Sequence, residues 1–284
     1  MEDELLDLSV VVCSYNCEEI IEGCLSSVKE NNPKEIILVD AGSTDKTTEI
    51  ARPFVDKIVN DSRKGLGNAR NIGLDAAECK YIVFVGADNI MPQGSLIKMI
   101  EYLEKYKCAI VSAITMLSET DSYLGWAQNI YREKYKPGYK NVVGTPTLFL
   151  REVLKKYRYD TFMTNSDDTD LCTRMAKDGH KFAISEAICY EKGFASIGAI
   201  IDRWIRYGRG DCLFYKKYAK NWSISRKLKS YCHPFMTDFI TPFKSSGFVK
   251  DIAILPFLIL ITYLRYYSWL KTALFFKKRK LTSR

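Results

Sequence analysis

A chain of 284 residues is long enough to bury a sizeable core as one large domain or two small ones. With 47% apolar and 27% charged residues it is not a disordered, collagen-like or coiled-coil sequence, and it has no repeat of fixed period that would make a solenoid. The net charge of +8 is uneven: from Arg203 onward 18 Lys/Arg face three acids (Asp211, Asp238, Asp251), a local net of +15 on a body of net −7.

Along the first 115 residues short β-branched runs alternate with longer amphipathic ones. Strands are predicted at 8–13, 36–39, 81–85 and 108–114, with a weaker one at 57–59. Helical spacing occupies 18–31, 44–54, 67–77 and 95–106, with Asn16, Ser43 and Gly94–Ser95 as starts and Pro33 as a stop. Strand–helix alternation of this kind predicts an α/β fold, a mostly parallel sheet flanked by helices. Beyond Thr115 the alternation fails. A helix at 119–135, a strand at 148–150, a helix at 169–178 stopped by Gly179 and a strand at 182–184 are predicted, then a helix at 196–220 broken near Gly208 and Gly210. The domain boundary is placed near Ala195, giving a catalytic domain at 1–195 and a basic helical region at 196–284.

Nine scattered cysteines without a C-x-x-C pair make neither a disulfide framework nor a zinc site, and suit a reducing compartment. The start, Met1-Glu-Asp-Glu, is acidic where a secretory signal would be basic, so a cytosolic beginning is expected. The basic tail calls for an anionic partner, nucleic acid or membrane. It also holds 13 uncharged residues at 252–264, which nucleic-acid arms do not usually carry. The expectation is a membrane surface and no nucleic acid.

Ligands on such sheets gather at the carboxyl ends of the strands, and four loops there are polar. Cys13-Ser14-Tyr15-Asn16 leaves the first strand. Asp40-Ala-Gly-Ser-Thr-Asp45 is either a capped turn or an acid accepting hydrogen bonds from a base or ribose. Lys64-Gly-Leu-Gly-Asn-Ala-Arg70-Asn71 is a glycine-rich loop entering a helix, where Arg70 is either a surface arginine or a fork for a diphosphate. Gly86-Ala87-Asp88-Asn89 ends an apolar strand with an acid suited to a hard cation. Downstream, Asn165-Ser-Asp167-Asp168-Thr-Asp170 reads either as helix capping or as a general base with its neighbours.

Taken in this order, the five motifs resemble the family 2 glycosyltransferases of GT-A fold, over roughly residues 8–190. The resemblance implies an inverting enzyme that takes a sugar from a UDP- or GDP-linked donor with a divalent metal, manganese or magnesium. It implies donor contacts from Ser14, Tyr15, Asn16, Asp40, Asp45, Arg70, Asn71 and Ala87, metal binding by Asp88, and Asp168 as catalytic base with Asp167 on the acceptor side. Asp167 and Asp170 would raise the basicity of Asp168 by repulsion.

Two positions depart from the family's pattern. Gly86 stands where its metal motif has a first acid, and Glu191 follows Tyr190 where relatives often carry histidine. Glu191 is either an exposed glutamate or a replacement oxygen ligand. These departures motivate an alternative, a silent sugar-nucleotide-binding scaffold at the membrane. Arg203 and Arg206 sit in a stretch like one seen in some members; they either meet an acceptor phosphate or belong to an ordinary basic helix. The acceptor is expected to be a lipid-linked or membrane-proximal glycan, at the cytoplasmic face of a membrane. Residues 252–264 are read as an in-plane or re-entrant segment, a single span or a buried helix, and truncation after Gly247 is expected to leave a soluble donor-binding protein.

Overall fold

The computed structural model describes residues 5–163, 165–193, 195–243 and 247–275. They form two compact units, one running to Asp121 and resuming at Tyr135, the other made of Ser122–Lys134 and the residues from Ala195 onward.

The first unit is built on strands β1 (Leu6–Ser14), β2 (Pro33–Asp40), β3 (Lys57–Asn60), β4 (Tyr81–Gly86), β5 (Asn89–Ile90), β6 (Ile110–Leu117), β7 (Gly138–Lys140), β8 (Thr147–Leu150) and β9 (Phe182–Glu191). They make one sheet in the order β3-β2-β1-β4-β8-β6-β9-β5, with β7 also on β9. Pairing among β3, β2, β1 and β4 is parallel, as it is between β6 and β9, whereas the β4–β8, β8–β6, β9–β5 and β9–β7 pairs are antiparallel. The predicted mostly parallel sheet is therefore corrected to a mixed one. The reason is β8, which runs against both neighbours and was too short to show its direction.

Both faces of the first strands are covered, which is why they read as unbroken apolar runs. Val10 and Val12 of β1 join one core with Leu38 and Val83, while Val11 joins the other with Ile37 and Phe84. The first core is closed by α1 (Ile21–Lys29), α2 (Thr47–Ala51) and, after α3 (Leu66–Ala76), by α4 (Ser95–Tyr106). Helix α3 covers the second core instead. It lies unusually close to β1: a Cβ at Gly73 would fall 2.3 Å from Val11 Cγ1. One turn earlier, Arg70 is thereby lowered onto the strand ends.

After α5 (Tyr123–Arg132), which belongs to the second unit, α6 (Arg151–Tyr157) and α7 (Asp167–Lys177) complete the second core through Leu154, Leu171 and Met175.

The second unit adds α8 (Ile197–Tyr218), α9 (Ile224–Pro234), a π-helical turn (Phe235–Ile240), α10 (Thr241–Phe243), α11 (Phe248–Ala253) and α12 (Leu255–Phe275). Helix α8 is continuous, against the predicted break at Gly208 and Gly210. A Cβ at Gly208 would meet the Arg265 carbonyl oxygen at 2.1 Å, so this glycine lets α12 cross α8 in near backbone contact. Residues 252–264 divide between two environments. Ile254, Phe257, Leu258, Ile261 and Leu264 enter a core with Trp204 and Tyr131, while Ile252, Ile259 and Tyr263 are exposed. The segment is thus partly a core helix, and truncation after Gly247 would strip this unit of much of its interior. Arg265 of α12 is held by Asp211 at 2.6 Å and Asp238 at 2.8 Å. Among the described residues no helix is long and apolar enough to cross a membrane. The basic cluster at 277–280 lies outside the described residues.

Candidate active site

The carboxyl ends of β1 and β2, the loop after β3 and the start of α3 surround a cavity of about 390 Å³ lined by Ser14, Tyr15, Ala41, Asp61, Arg63 and Leu66, among others. Asp40 underlies it. Its carboxylate accepts from Ser14 Oγ at 2.8 Å, Ser43 Oγ at 2.6 Å and the Ser43 N–H at 2.8 Å, so it ties the first two loops together. Asn16 does similar bracing, its N–H donating to Ser43 Oγ and its Oδ1 accepting from the Thr44 N–H, both at 2.9 Å. Asp45 accepts from the Thr47 and Glu18 N–H groups, stapling the start of α2 to the first loop. Of the predicted donor contacts in these two loops, Ser14 and Tyr15 line the cavity and the other three shape it.

The cavity's guanidinium is Arg63, which the sequence reading missed. It lies 4.4 Å from the centre of the Tyr15 ring and donates to the Tyr15 hydroxyl at 2.7 Å and the Ala41 carbonyl at 3.1 Å. Its own N–H donates to the buried Asp61 at 2.8 Å. The backbone at Ser62 and Arg63 has φ of +54° and +56°, a tight left-handed turn. The only signal in the sequence was a polar run after a short strand. At Gly65, φ is +99° and α3 begins without a side-chain cap beside the cavity, the kind of helix start that accepts an anion.

Arg70 is placed differently from the prediction. It is 5% exposed and its Nη1 donates to Asp167 at 2.5 Å and Asp168 at 3.2 Å, while Nη2 donates to Thr145 Oγ1 at 2.6 Å. Its guanidinium also packs 4.9 Å from the Tyr159 ring. Where a diphosphate fork was expected, the guanidinium is paired with two carboxylates and braces the acids at the start of α7. Asn71 also braces the protein. Its amide exchanges two hydrogen bonds with the backbone of Tyr159, at 2.9 Å each, and so anchors the loop before α7.

Asp168 is the carboxylate with the most perturbed acidity in this cluster. Burial pushes it up to about 7; Arg70 opposes the rise and Asp167 adds to it. Its side chain keeps 23% of its surface open, so a substrate can reach it. Asp170 does not contribute as expected, because its carboxylate is paired with Arg174 at 2.9 Å within the helix. Cys13, which lines the cavity within the field of Arg70 and Asp167, has its thiol pushed up to about 12 by burial, and is no nucleophile.

Ala87 and Asp88 form the turn between β4 and β5, and β5 pairs with β9 so that Asn89 stands opposite Glu191, one residue from Asp88. Gly86 gives this turn its shape: a Cβ there would lie 2.4 Å from Asp88 Oδ1, so the Asp88 carboxylate leans over residue 86 where an acid would displace it. Hard cations need few protein carboxylates when phosphates and waters complete the shell. Among the described residues no group of three or more His, Cys, Asp or Glu side chains is placed to hold an ion. Asp88 offers one carboxylate of the oxygen-donor kind that a hard cation accepts. Arg203 and Arg206 lie in the second unit on α8, the first buried and the second exposed.

Known proteins share this architecture. The uncharacterized glycosyltransferase EpsJ of Bacillus subtilis is 32% identical over 111 residues, 37% of this chain and 32% of that protein. Poly-beta-1,6-N-acetyl-D-glucosamine synthase of Staphylococcus epidermidis is 29% identical over 225 residues, 72% of this chain and 54% of the synthase. The chain thus spans about a third of one relative's length and about half of the other's. Among solved structures, mannosyltransferase PcManGT from Pyrobaculum calidifontis, in complex with GDP-Man and Mn2+, superposes with a TM-score of 0.69 at 18% identity, covering 97% of this chain and 89% of that one. The profile described as Glycosyl transferase family 2 matches residues 9–160, more than half of the sequence and every cavity-lining loop. This chain belongs to glycosyl transferase family 2.

Proposed function

We propose that the chain is an inverting glycosyltransferase that moves a sugar from a UDP- or GDP-linked donor to a hydroxyl or phosphate of a lipid-linked or membrane-proximal acceptor. The observation that carries this reading is Asp168: a carboxylate held in place by Arg70, poised at about 7 and still open to a substrate. A general base works best with its pKa near the operating pH.

In this reading the nucleoside lies in the cavity against Tyr15, and the diphosphate lies toward Arg63 and the uncapped start of α3. A divalent metal held by Asp88, with Glu191 as a second candidate ligand, would supply charge stabilisation to the departing diphosphate. Asp168 accepts the proton of the acceptor hydroxyl as that oxygen bonds to the anomeric carbon. The bond from that carbon to the diphosphate oxygen breaks on the opposite face and its electron pair leaves with the nucleoside diphosphate. Configuration inverts, and no covalent enzyme intermediate forms. Arg70 holds Asp168 on the attacking side and limits the rise in its pKa, since a carboxylate kept fully protonated accepts nothing.

A thermal-shift panel of UDP- and GDP-sugars with and without manganese tests donor binding, because a ligand of the native state raises its melting temperature. Release of nucleoside diphosphate then tests turnover. A chain that binds no sugar nucleotide under any of these conditions would overturn the reading.

A further inference from the structure

The second unit carries an apolar stripe that stays largely exposed. On α9, Ile224 is 78% exposed, Leu228 60% and Tyr231 42%, and Phe235, where the π-helical turn begins, is 42% exposed. These positions recur at i, i+4, i+7 and i+11, one narrow face of a helix about 16 Å long. Arg226, Lys227 and Lys229 stand beside the stripe, and no acid occurs in α9. Arg226 is drawn 4.2 Å over the ring of Trp222, just before the helix.

We propose that α9 lies in the plane of an anionic lipid bilayer, with the Ile224–Leu228–Tyr231–Phe235 stripe among the acyl chains and its lysines and arginine at the headgroups. This deepens the membrane-proximal acceptor proposed above and rests on that reading for its purpose; its observations lie wholly within the second unit. Charge decides the occupant. The residues from Arg203 onward carry a net +15, which repels a second copy of the same surface and attracts acidic lipid within a Debye length. An apolar stripe with basic flanks is the pattern of a helix bound parallel to a membrane. The contact also moves from the place the sequence indicated. Residues 252–264 give one side to the core, whereas on α9 Ile224 and Leu228 face the outside and Tyr231, which also packs on Tyr215 and Trp269, keeps part of its ring exposed.

The test is sedimentation of the full chain with vesicles of phosphatidylcholine alone or with 30% phosphatidylglycerol. Wild type should bind the anionic vesicles at least tenfold more tightly, and 0.5 M salt should weaken that binding. Ile224→Glu with Leu228→Glu should weaken it about a hundredfold, while Ile224→Phe with Leu228→Phe retains it. Both sites are exposed, so the variants should melt as wild type does, and an unchanged melt guards against unfolding. Equal binding by the glutamate variant overturns the proposal, as does wild type that stays in the supernatant. A self-associated wild type that the glutamate pair renders monomeric without vesicles would assign the stripe to a second copy instead. Sugar-nucleotide thermal shifts on the wild-type samples separate the outcomes: wild type that binds donor but no vesicles refutes the α9 proposal alone, and wild type that binds vesicles but no donor refutes the catalytic reading alone.

Discussion

Arg70→Met is the substitution most diagnostic of the site. The methionine keeps an unbranched apolar stem and removes the guanidinium, with its charge and its hydrogen bonds to Asp167, Asp168 and Thr145. Wild-type Arg70 serves two carboxylates, and it and Asp167 are each only 6% exposed at the side chain. Breaking a buried ion pair by deleting one partner costs about 3–5 kcal/mol, because the remaining charge is stranded. Here two acids are stranded side by side, so the upper half of that range is expected at pH 8. Near pH 5 one of them takes up a proton and the loss should shrink. The direction follows from linkage: a carboxyl whose folded pKa is raised stabilises the fold below its unfolded value near 4, and that stability drains away as pH rises through the folded pKa. In wild type Asp168 already does this between about 4 and 7. Without Arg70 the window widens upward.

Urea unfolding followed by circular dichroism measures this cost. All four tryptophans, Trp126, Trp204, Trp222 and Trp269, lie in the second unit, so their fluorescence reports that unit. Adding Asp167→Asn to Arg70→Met should restore at least half of the loss, since the two residues share one interaction. In activity, the rise of kcat/KM with pH should move to higher pH than in wild type. A loss below about 1 kcal/mol that is equal at pH 5 and pH 8, with an unmoved pH profile, would refute the positioning role.

Asp168→Asn should leave sugar-nucleotide binding nearly intact and lower transfer by about 10²–10⁴-fold, the usual share of proton removal, as read by release of nucleoside diphosphate. In wild type the same assay should show activity rising with pH through about 7, where Asp168 loses its proton; a rate flat from pH 5 to 9 would contradict that assignment. Asp88→Ala should abolish the manganese dependence of donor binding in thermal shift, and if Glu191→Gln leaves that dependence unchanged, water and not Glu191 completes the shell. Gly208→Ala should cost about 1–3 kcal/mol in thermal unfolding, because its Cβ meets the Arg265 carbonyl at 2.1 Å and backbone cannot step aside as a side chain can.

What the sequence disclosed and what it hid divide along one physical line, the range of the interactions involved. Strands β1, β2 and β4 were legible because burial on both faces leaves a contiguous apolar run, and α4 because Leu96, Met99, Ile100 and Leu103 repeat at helical spacing over its buried face. These are local patterns. Strand β9 was read at 182–184 and runs to Glu191, because Glu186 and Tyr190 are exposed and break the apolar run that its pairing with β6 sustains.

The polar loops at the strand ends were legible in the sequence, and the partners of Arg70 were not. Nothing within a few residues of Arg70 says where its guanidinium goes. Its partner Asp167 is 97 positions away, and only the closeness of α3 to β1, set by Gly73, brings the two together. Arg63 was hidden for the opposite reason: its role depends on two successive left-handed residues, Ser62 and Arg63, a backbone state that non-glycine residues seldom signal. Gly208 shows the same limit in the second unit. In a local reading glycine within a helix means a break, and the fact that reverses it, the backbone of Arg265 lying against that face, comes from a helix 57 residues further on. Polar residues at strand ends thus identify a family's chemistry, but which of them meets substrate and which braces another depends on contacts that sequence spacing does not carry.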